Sequence, residues 1–119
     1  MQIPLQITFH GVDHSDAVEE RIRSKVQKLE QLCDRITSCR VVIECTHKNG
    51  STEHQPFHIR LDVTVPGQEL VVRRDPKDPH AHEDIYVCLR DVFQAMERQV
   101  KEYVERQRGG PKFKAQAAG

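Results

Sequence analysis

The stretch EDIYVCLRDVFQAMERQVKEYVERQRGG, residues 83–110, carries the clearest periodic pattern of the chain. Its apolar residues recur at spacings of three and four, which is typical of one buried face of an α-helix. They are Ile85, Leu89, Val92, Met96, Val100 and Tyr103. Arginines, lysines and glutamates occupy much of the opposite side. The stretch therefore predicts a long amphipathic helix that packs on another layer of the protein.

The segments before this helix predict one more helix and four strands. Ser15 suits the N-cap of a helix over residues 16–33, whose apolar stripe runs from Val18 to Cys33. Alternating apolar and polar residues predict strands at 3–9, 39–46 and 57–65, and a fourth at 69–73 follows the turn at Pro66-Gly67. The order β-α-β-β-β-α indicates an α+β fold: a two-layer sandwich with two helices packed on one face of a four-stranded sheet.

Length and composition favour a single domain. With 119 residues, we expect one domain over residues 1–108 and a flexible basic tail over residues 109–119. Loops are expected at 47–55, which contains Asn-Gly, and at 74–84, where Pro76 and Pro79 break regular structure. No apolar run approaches the roughly 20 residues that span a membrane, and no signal-peptide pattern opens the chain. We therefore expect a cytoplasmic location and no membrane partner.

Metal, cofactor and catalytic motifs are weak or missing in the sequence. Cys33, Cys39, Cys45 and Cys88 form no CxxC pair and lie beside apolar neighbours, which favours reduced core thiols over a metal or disulfide role. The histidines lack the spacing of a zinc site, although two groups suggest metal binding as a lesser alternative. These are His80 with His82, and His47 with His54 and His58. We expect no metal, no cofactor, no small-molecule substrate and no enzymatic activity.

Basic residues form a row on each predicted helix. The formal net charge is zero, so a nucleic-acid surface would have to be a local patch balanced by acids elsewhere. At about 100° per residue, one sector of the first helix holds three cations, and a fourth would extend the row beyond the helix end. These are Arg21, Lys25, Lys28 and then Arg35.

The second helix carries a similar sector, diluted by Glu97 and flanked by two further arginines. Its members are Arg90, Lys101 and Arg108, with Arg98 and Arg106 to the side. If the helices lie side by side, the two rows predict a basic groove that grips phosphates. The alternative is an ordinary solvated face with stabilising Glu–Lys spacings. With no Trp, two Tyr and four Phe, an aromatic base-stacking sheet is not expected.

Two motifs resemble the ribosome hibernation promoting factors, also known as ribosome-associated inhibitors or sigma-factor modulation proteins. KLEQLCDRI at residues 28–36 is similar to the end of that family's first helix. DIYVCLRDVFQAMERQVKEY at residues 84–103 resembles its second helix, which opens with a motif matched here by Asp84 and Tyr86. The resemblance covers residues 2–106, and the chain is similar to the short type, without a second domain.

The resemblance implies binding to the small ribosomal subunit, near the decoding channel, with reversible inhibition of translation under stress. Ribosomal RNA is the implied contact, and the family's basic positions match Lys25, Lys28 and Arg98. Asp84 is expected to cap the second helix, and Tyr86 to be partly exposed and either pack or touch RNA. A monomer is expected away from the ribosome.

The chain also departs from the family pattern. Several positions where the family tends to carry lysine or arginine hold Glu19, Ala95, Glu102 and Val104 here. Arg21, Arg23 and Arg90 supply positive charge instead, partly at positions other than those that are basic in the family. This leaves a second hypothesis open, in which a divergent member of the same fold serves as a protein-binding module without ribosome binding.

Overall fold

A computed structural model of the chain describes residues 3–45, 54–76 and 83–109. The predicted order of four long strands and two helices is confirmed, and a short pair of strands is added. In chain order the elements are β1 (Leu5–His10), α1 (Asp16–Leu32), β2 (Ser38–Cys45), β3 (His54–Gln55), β4 (Phe57–Val65), β5 (Gln68–Arg74), β6 (Glu83–Asp84) and α2 (Ile85–Gly109).

The four long strands form one mixed sheet in the order β1-β2-β4-β5. β1 runs parallel to β2, with Ile7 opposite Val41, because α1 carries the chain back across the sheet. β2, β4 and β5 are antiparallel neighbours. Pro66-Gly67 makes the turn between β4 and β5, where Gly67 has a φ of 87° that suits glycine.

The core lies between one face of this sheet and the two helices. Side chains alternate across a strand, so β2 and β4 each send every second residue inward. Val41, Ile43 and Leu61 are completely buried, as are Ile22 of α1 and Met96 of α2. The apolar stripes that predicted the helices are thus the surfaces that cover the sheet, and the α+β two-layer fold is confirmed.

Two boundaries differ from the sequence prediction for identifiable reasons. Cys33 has extended backbone angles and caps α1, so the helix ends at Leu32. Glu83–Asp84 and His54–Gln55 were predicted as loop but pair as the antiparallel strands β6 and β3. Local breaker residues cannot reveal a pairing between segments so far apart in the chain. Arg74 was also predicted as loop but ends β5. Residues 47–53 and 77–82 of the two loops, and residues 110–119 of the predicted tail, lie outside the described residues.

The four cysteines are buried and form no disulfide, as the sequence predicted. Burial raises the pKa of the Cys39 thiol to about 12 and that of Cys88 to about 11. Both thiols therefore stay protonated near neutral pH and serve as small core residues. Among the described residues, neither helix combines the length and the apolar character that crossing a membrane requires.

Candidate nucleic-acid interface

Local sequence sorts the charges of α1 onto two sides. The Ser15 hydroxyl accepts a hydrogen bond from the Val18 amide at 3.2 Å, which starts the helix where the apolar stripe begins. From that start, Glu30 falls on the side toward the N-terminal segment, where it accepts a bond from the Ile3 amide at 3.1 Å. Glu19 forms an ion pair with an arginine one turn along and contacts a histidine ring just before the helix. The opposite side is left with basic residues.

Polar contacts to the sheet fix the rotation of α2 about its axis. The Gln99 amide donates to the Val71 carbonyl at 3.1 Å, and the Tyr103 hydroxyl donates to the Pro66 carbonyl at 3.3 Å. Both acceptors belong to the β4–β5 end of the sheet. With that side of α2 held against β5, the other side faces α1.

The start of α2 is set by residues that the sequence motif contains. Asp84 immediately precedes the helix, and its carboxylate accepts a hydrogen bond from the Tyr86 amide at 2.8 Å. Arg74 of β5 donates two hydrogen bonds to Glu83, each of 3.1 Å, and its guanidinium lies 3.6 Å from Asp91. These contacts tie β5 to the first turns of α2.

The two helices lie side by side and run in the same direction. The Arg21 guanidinium sits over the Tyr86 ring at 4.8 Å from its centroid, near the start of both helices. Further along, the Lys28 ammonium lies 3.7 Å from the Glu97 carboxylate. The surface between the helices is called the interhelical groove below, and its residues are Arg21, Lys25, Lys28, Tyr86, Arg90 and Glu97.

Positive charge in the groove exceeds the negative charge that faces it. Partial burial lowers the pKa of Lys25, and the nearby charges of Arg21, Lys28 and Arg90 lower it further. Glu97 is the acid that acts in the opposite direction. Glu97 pairs with Lys28, and the Asp91 carboxylate lies 3.3 Å from Arg90, so the four cations are faced by two acids and keep a net positive charge. Such a site favours an anion, and exposed guanidinium and ammonium groups are the usual phosphate contacts of proteins.

The other five cations that the sequence analysis predicts as RNA contacts lie in four places. Lys101 follows Glu97 by one helical turn and so shares the groove side of α2. Arg35 and Arg108 line a common cleft at the far end of the helices. Arg106 follows Gln99 by seven residues and lies on the side toward β5, while exposed Arg98 lies beside the groove. The structure therefore brings seven of the nine predicted cations to the α1–α2 side.

The open face of the sheet carries a charge cluster that the sequence analysis did not identify. Asp62 is 3% exposed and accepts hydrogen bonds from Arg40 at 2.8 Å and Arg60 at 2.9 Å. Burial alone would raise the pKa of Asp62, but the bonds from Arg40 and Arg60 and their charges outweigh it and lower that pKa. The sequence signal for this cluster was the acidic Asp62 within the strand that has the clearest alternation of apolar and polar residues.

Histidines contribute one candidate cation cluster in the described part of the chain. His14, Asp16 and Glu19 place possible ligand atoms within 4.8 Å of one another at the start of α1. All three side chains are solvent-accessible, and contacts of 3.5 and 3.2 Å from the His14 ring nitrogens to the two acids account for the arrangement. The side chains of His47, His54, His80 and His82 lie outside the described residues.

Comparisons with known proteins agree with this architecture. Residues 5–108 match the family model described as sigma 54 modulation protein / S30EA ribosomal protein. A ribosome hibernation promoting factor from Azotobacter vinelandii is 28% identical over 103 residues, which are 87% of this chain and 84% of that protein.

Solved structures show the same fold. The N-terminal domain of Protein Y from Thermus thermophilus superposes with a TM-score of 0.65 at 16% identity, covering 86% of this chain and 99% of that domain. A ribosomal subunit interface protein from Coxiella burnetii gives a TM-score of 0.64 at 20% identity, covering 85% of this chain and 97% of that one.

Proposed function

Because the chain belongs to the sigma 54 modulation protein / S30EA ribosomal protein family, we propose that it is a ribosome hibernation factor. It binds the small ribosomal subunit near the decoding channel and reversibly blocks translation under stress or in stationary phase. The related protein from Azotobacter vinelandii bears the name of such a factor. The family is named for a ribosomal protein and not for an enzyme, and a factor of this kind works in the cytoplasm.

The observation that carries the proposal is the interhelical groove. Arg21 and Arg90 come from different helices, yet both lie close enough to Lys25 to lower its pKa. A rigid sheet behind both helices fixes the backbone positions from which these cations extend before any RNA is bound. Binding then needs no rearrangement of the helices, so the array suits the folded phosphate backbone of ribosomal RNA.

Inhibition follows from occupancy. A domain seated in the channel where messenger and transfer RNA meet excludes both, with no covalent step. Reversibility follows because phosphate contacts are ionic and are weakened by competing ions. Binding must therefore fall steeply as the salt concentration rises.

The test is co-sedimentation of the purified protein with separated ribosomal subunits at low and moderate salt. Wild-type protein should travel with the small subunit and dissociate as salt is raised. The groove variant Lys25→Glu with Arg90→Glu should lose binding at both salt concentrations. Arg23→Glu with Arg73→Glu makes the same change in net charge away from the groove, at side chains that are 57% and 65% exposed, and should bind like the wild type.

Two outcomes would contradict the proposal. Equal loss in both variants would mean that net charge, and not the groove, governs binding. No small-subunit binding by wild-type protein at low salt would favour the alternative of a protein-binding module, whose partner contact should depend weakly on salt.

A further inference from the structure

A cleft lies where α1 and α2 both end, beyond the interhelical groove. Its volume is about 360 Å³, within the range of roughly 300–1,000 Å³ that small-ligand sites occupy. The lining residues come from both helix ends and from the turn after α1. They are Gln31, Leu32, Cys33, Asp34, Arg35, Tyr103, Val104, Gln107 and Arg108.

The floor of the cleft is apolar. Leu32 and Val104 are half-buried, one from each helix, and Cys33 and Tyr103 are buried beneath them. The hydrogen bond from the Tyr103 hydroxyl to the Pro66 carbonyl holds this ring in place from the sheet side. A phosphate group gains nothing from such a floor, whereas the face of a nucleobase buries apolar area against it.

The rim of the cleft is polar and has both signs of charge. Arg35 and Arg108 are exposed, and neither forms an ion pair with another described residue. Gln31 and Gln107 each offer an amide donor and an acceptor, and Asp34 offers a carboxylate acceptor. A base edge presents donors and acceptors together, while a bare phosphate would be repelled by the carboxylate.

We propose that this cleft takes one unpaired RNA base, with Arg35 and Arg108 on the phosphates that flank it. The inference rests on the proposed function and adds to it a contact that depends on a base and not only on backbone charge. Single-stranded or bulged nucleotides are the RNA elements whose bases are free to enter a protein cleft. The groove binds the RNA phosphate backbone. The cleft adds a contact that is made only where an unpaired base is present, so that base determines where the protein docks on the RNA.

The experiment compares two ligands that differ only in a base. The isotope-labelled protein is titrated, and observed by NMR, with a short single-stranded oligoribonucleotide and with the same oligonucleotide carrying an abasic ribose at its centre. The base-bearing ligand should bind about fivefold more tightly, the factor expected from burying on the order of 40 Å² of apolar surface. The side-chain amides of Gln31 and Gln107 should shift only with that ligand.

Variants make the assignment specific. Val104→Lys adds a positive charge while filling the apolar floor, so it should abolish the preference for the base-bearing ligand without weakening binding of the abasic one. Gln94→Lys is the matched control, because it adds the same charge at an exposed position of the same helix and should keep the preference. Gln107→Ala, at an exposed site, provides a second test that does not disturb the packing.

Failure of this inference is distinct from failure of the proposed function. Equal affinity of wild-type protein for the two oligonucleotides, or a preference that survives both Val104→Lys and Gln107→Ala, would overturn the cleft assignment even if the protein co-sediments with small subunits. A clear preference that both cleft variants remove would support the assignment. It would do so even if co-sedimentation failed, in which case the ribosome proposal alone would fall.

Discussion

The helix face and the open sheet face of this molecule both carry several arginines, but the two faces differ in how far their positive charges are paired with acids. On the open sheet face, Arg40 and Arg60 share the buried carboxylate of Asp62, so both guanidinium groups have an acid partner within the protein and half of their charge is balanced. On the helix face, Lys25 has no hydrogen-bonded acid among the described residues and is surrounded mainly by other cations. Paired charges stabilise the fold, whereas unpaired charges remain available to a partner.

The comparison also explains how a chain with zero net charge can present a positively charged surface. Acids on the sheet side and on the outer sides of the helices accept hydrogen bonds within the protein, as Asp62 and Glu30 do. Cations are concentrated where the helices meet. Net charge therefore says little about this protein's partners, because the two signs are separated in space.

The largest expected effect is on stability and comes from the sheet face. Asp62→Ala leaves Arg40 and Arg60 without their shared acceptor, and we expect the free energy of unfolding to fall by about 2 kcal/mol. Urea denaturation measures the loss. Small-subunit binding by the folded fraction should stay unchanged. A marked loss of binding would contradict the view that the sheet face stabilises the fold while the helix face binds the partner.

On the helix face we expect a smaller effect, which is a loss of binding affinity without a loss of stability. Lys25→Gln removes a phosphate contact, so affinity for small subunits should fall about tenfold and the salt dependence should become shallower by about one ion. Stability should not fall, and should rise slightly, because the substitution removes repulsion from Arg21, Lys28 and Arg90. Binding is followed by co-sedimentation and stability by urea denaturation. A destabilised variant with unchanged affinity would show that Lys25 supports the fold and does not bind RNA.

Acid titration should weaken the sheet cluster, and Asp75, whose pKa is also lowered, should add to the same decline. Asp62 has a lowered pKa in the folded protein, so its stabilising contribution is complete above the unfolded pKa of about 4 and is lost as the pH falls through the lower folded value. We expect Asp62→Asn, which cannot ionise, to lose about 1 kcal/mol at neutral pH and to show a flatter decline in acid. Thermal unfolding of both proteins from neutral to acidic pH measures this; parallel curves would show that Asp62 is not the titrating group.

The smallest expected effect concerns the one carboxylate in the groove. Glu97 pairs with Lys28 at 3.7 Å and opposes the surrounding cations. Glu97→Gln should therefore tighten small-subunit binding about threefold, a modest change because the pair is partly solvated. Glu102→Gln, an exposed acid elsewhere on α2, is the control and should have a weaker effect. Weaker binding of Glu97→Gln would mean that the carboxylate positions Lys28 for RNA.

Residues within single elements were predictable from the sequence. The three-and-four spacing identified α2, and the same projection placed Arg98 and Arg106 beside the basic sector and not within it. The resemblance also singled out Arg98, which is exposed beside the groove and whose RNA contact stays a prediction. Sequence similarity carries a residue's identity but not its orientation relative to a neighbouring helix.

Contacts between elements were not predictable. Arg40 and Asp62 are directly opposite one another only because β2 and β4 pair in one register, and a shift of one residue would point them to opposite faces. The cleft of Leu32 and Val104 likewise needs two helices to end at the same level. Neither feature leaves a periodic signal, because each joins residues that are distant in the chain.

The sequence by itself determined which side of each helix and strand is apolar, and which residues stand on the polar side, because those phases follow from backbone geometry within a single element. Only the tertiary structure decided that Arg21 stacks on Tyr86, that Lys28 meets Glu97 and that Arg35 and Arg108 share a cleft. Those distances depend on how two helices settle on a common sheet, where packing of the buried side chains selects one arrangement from many that the local pattern allows.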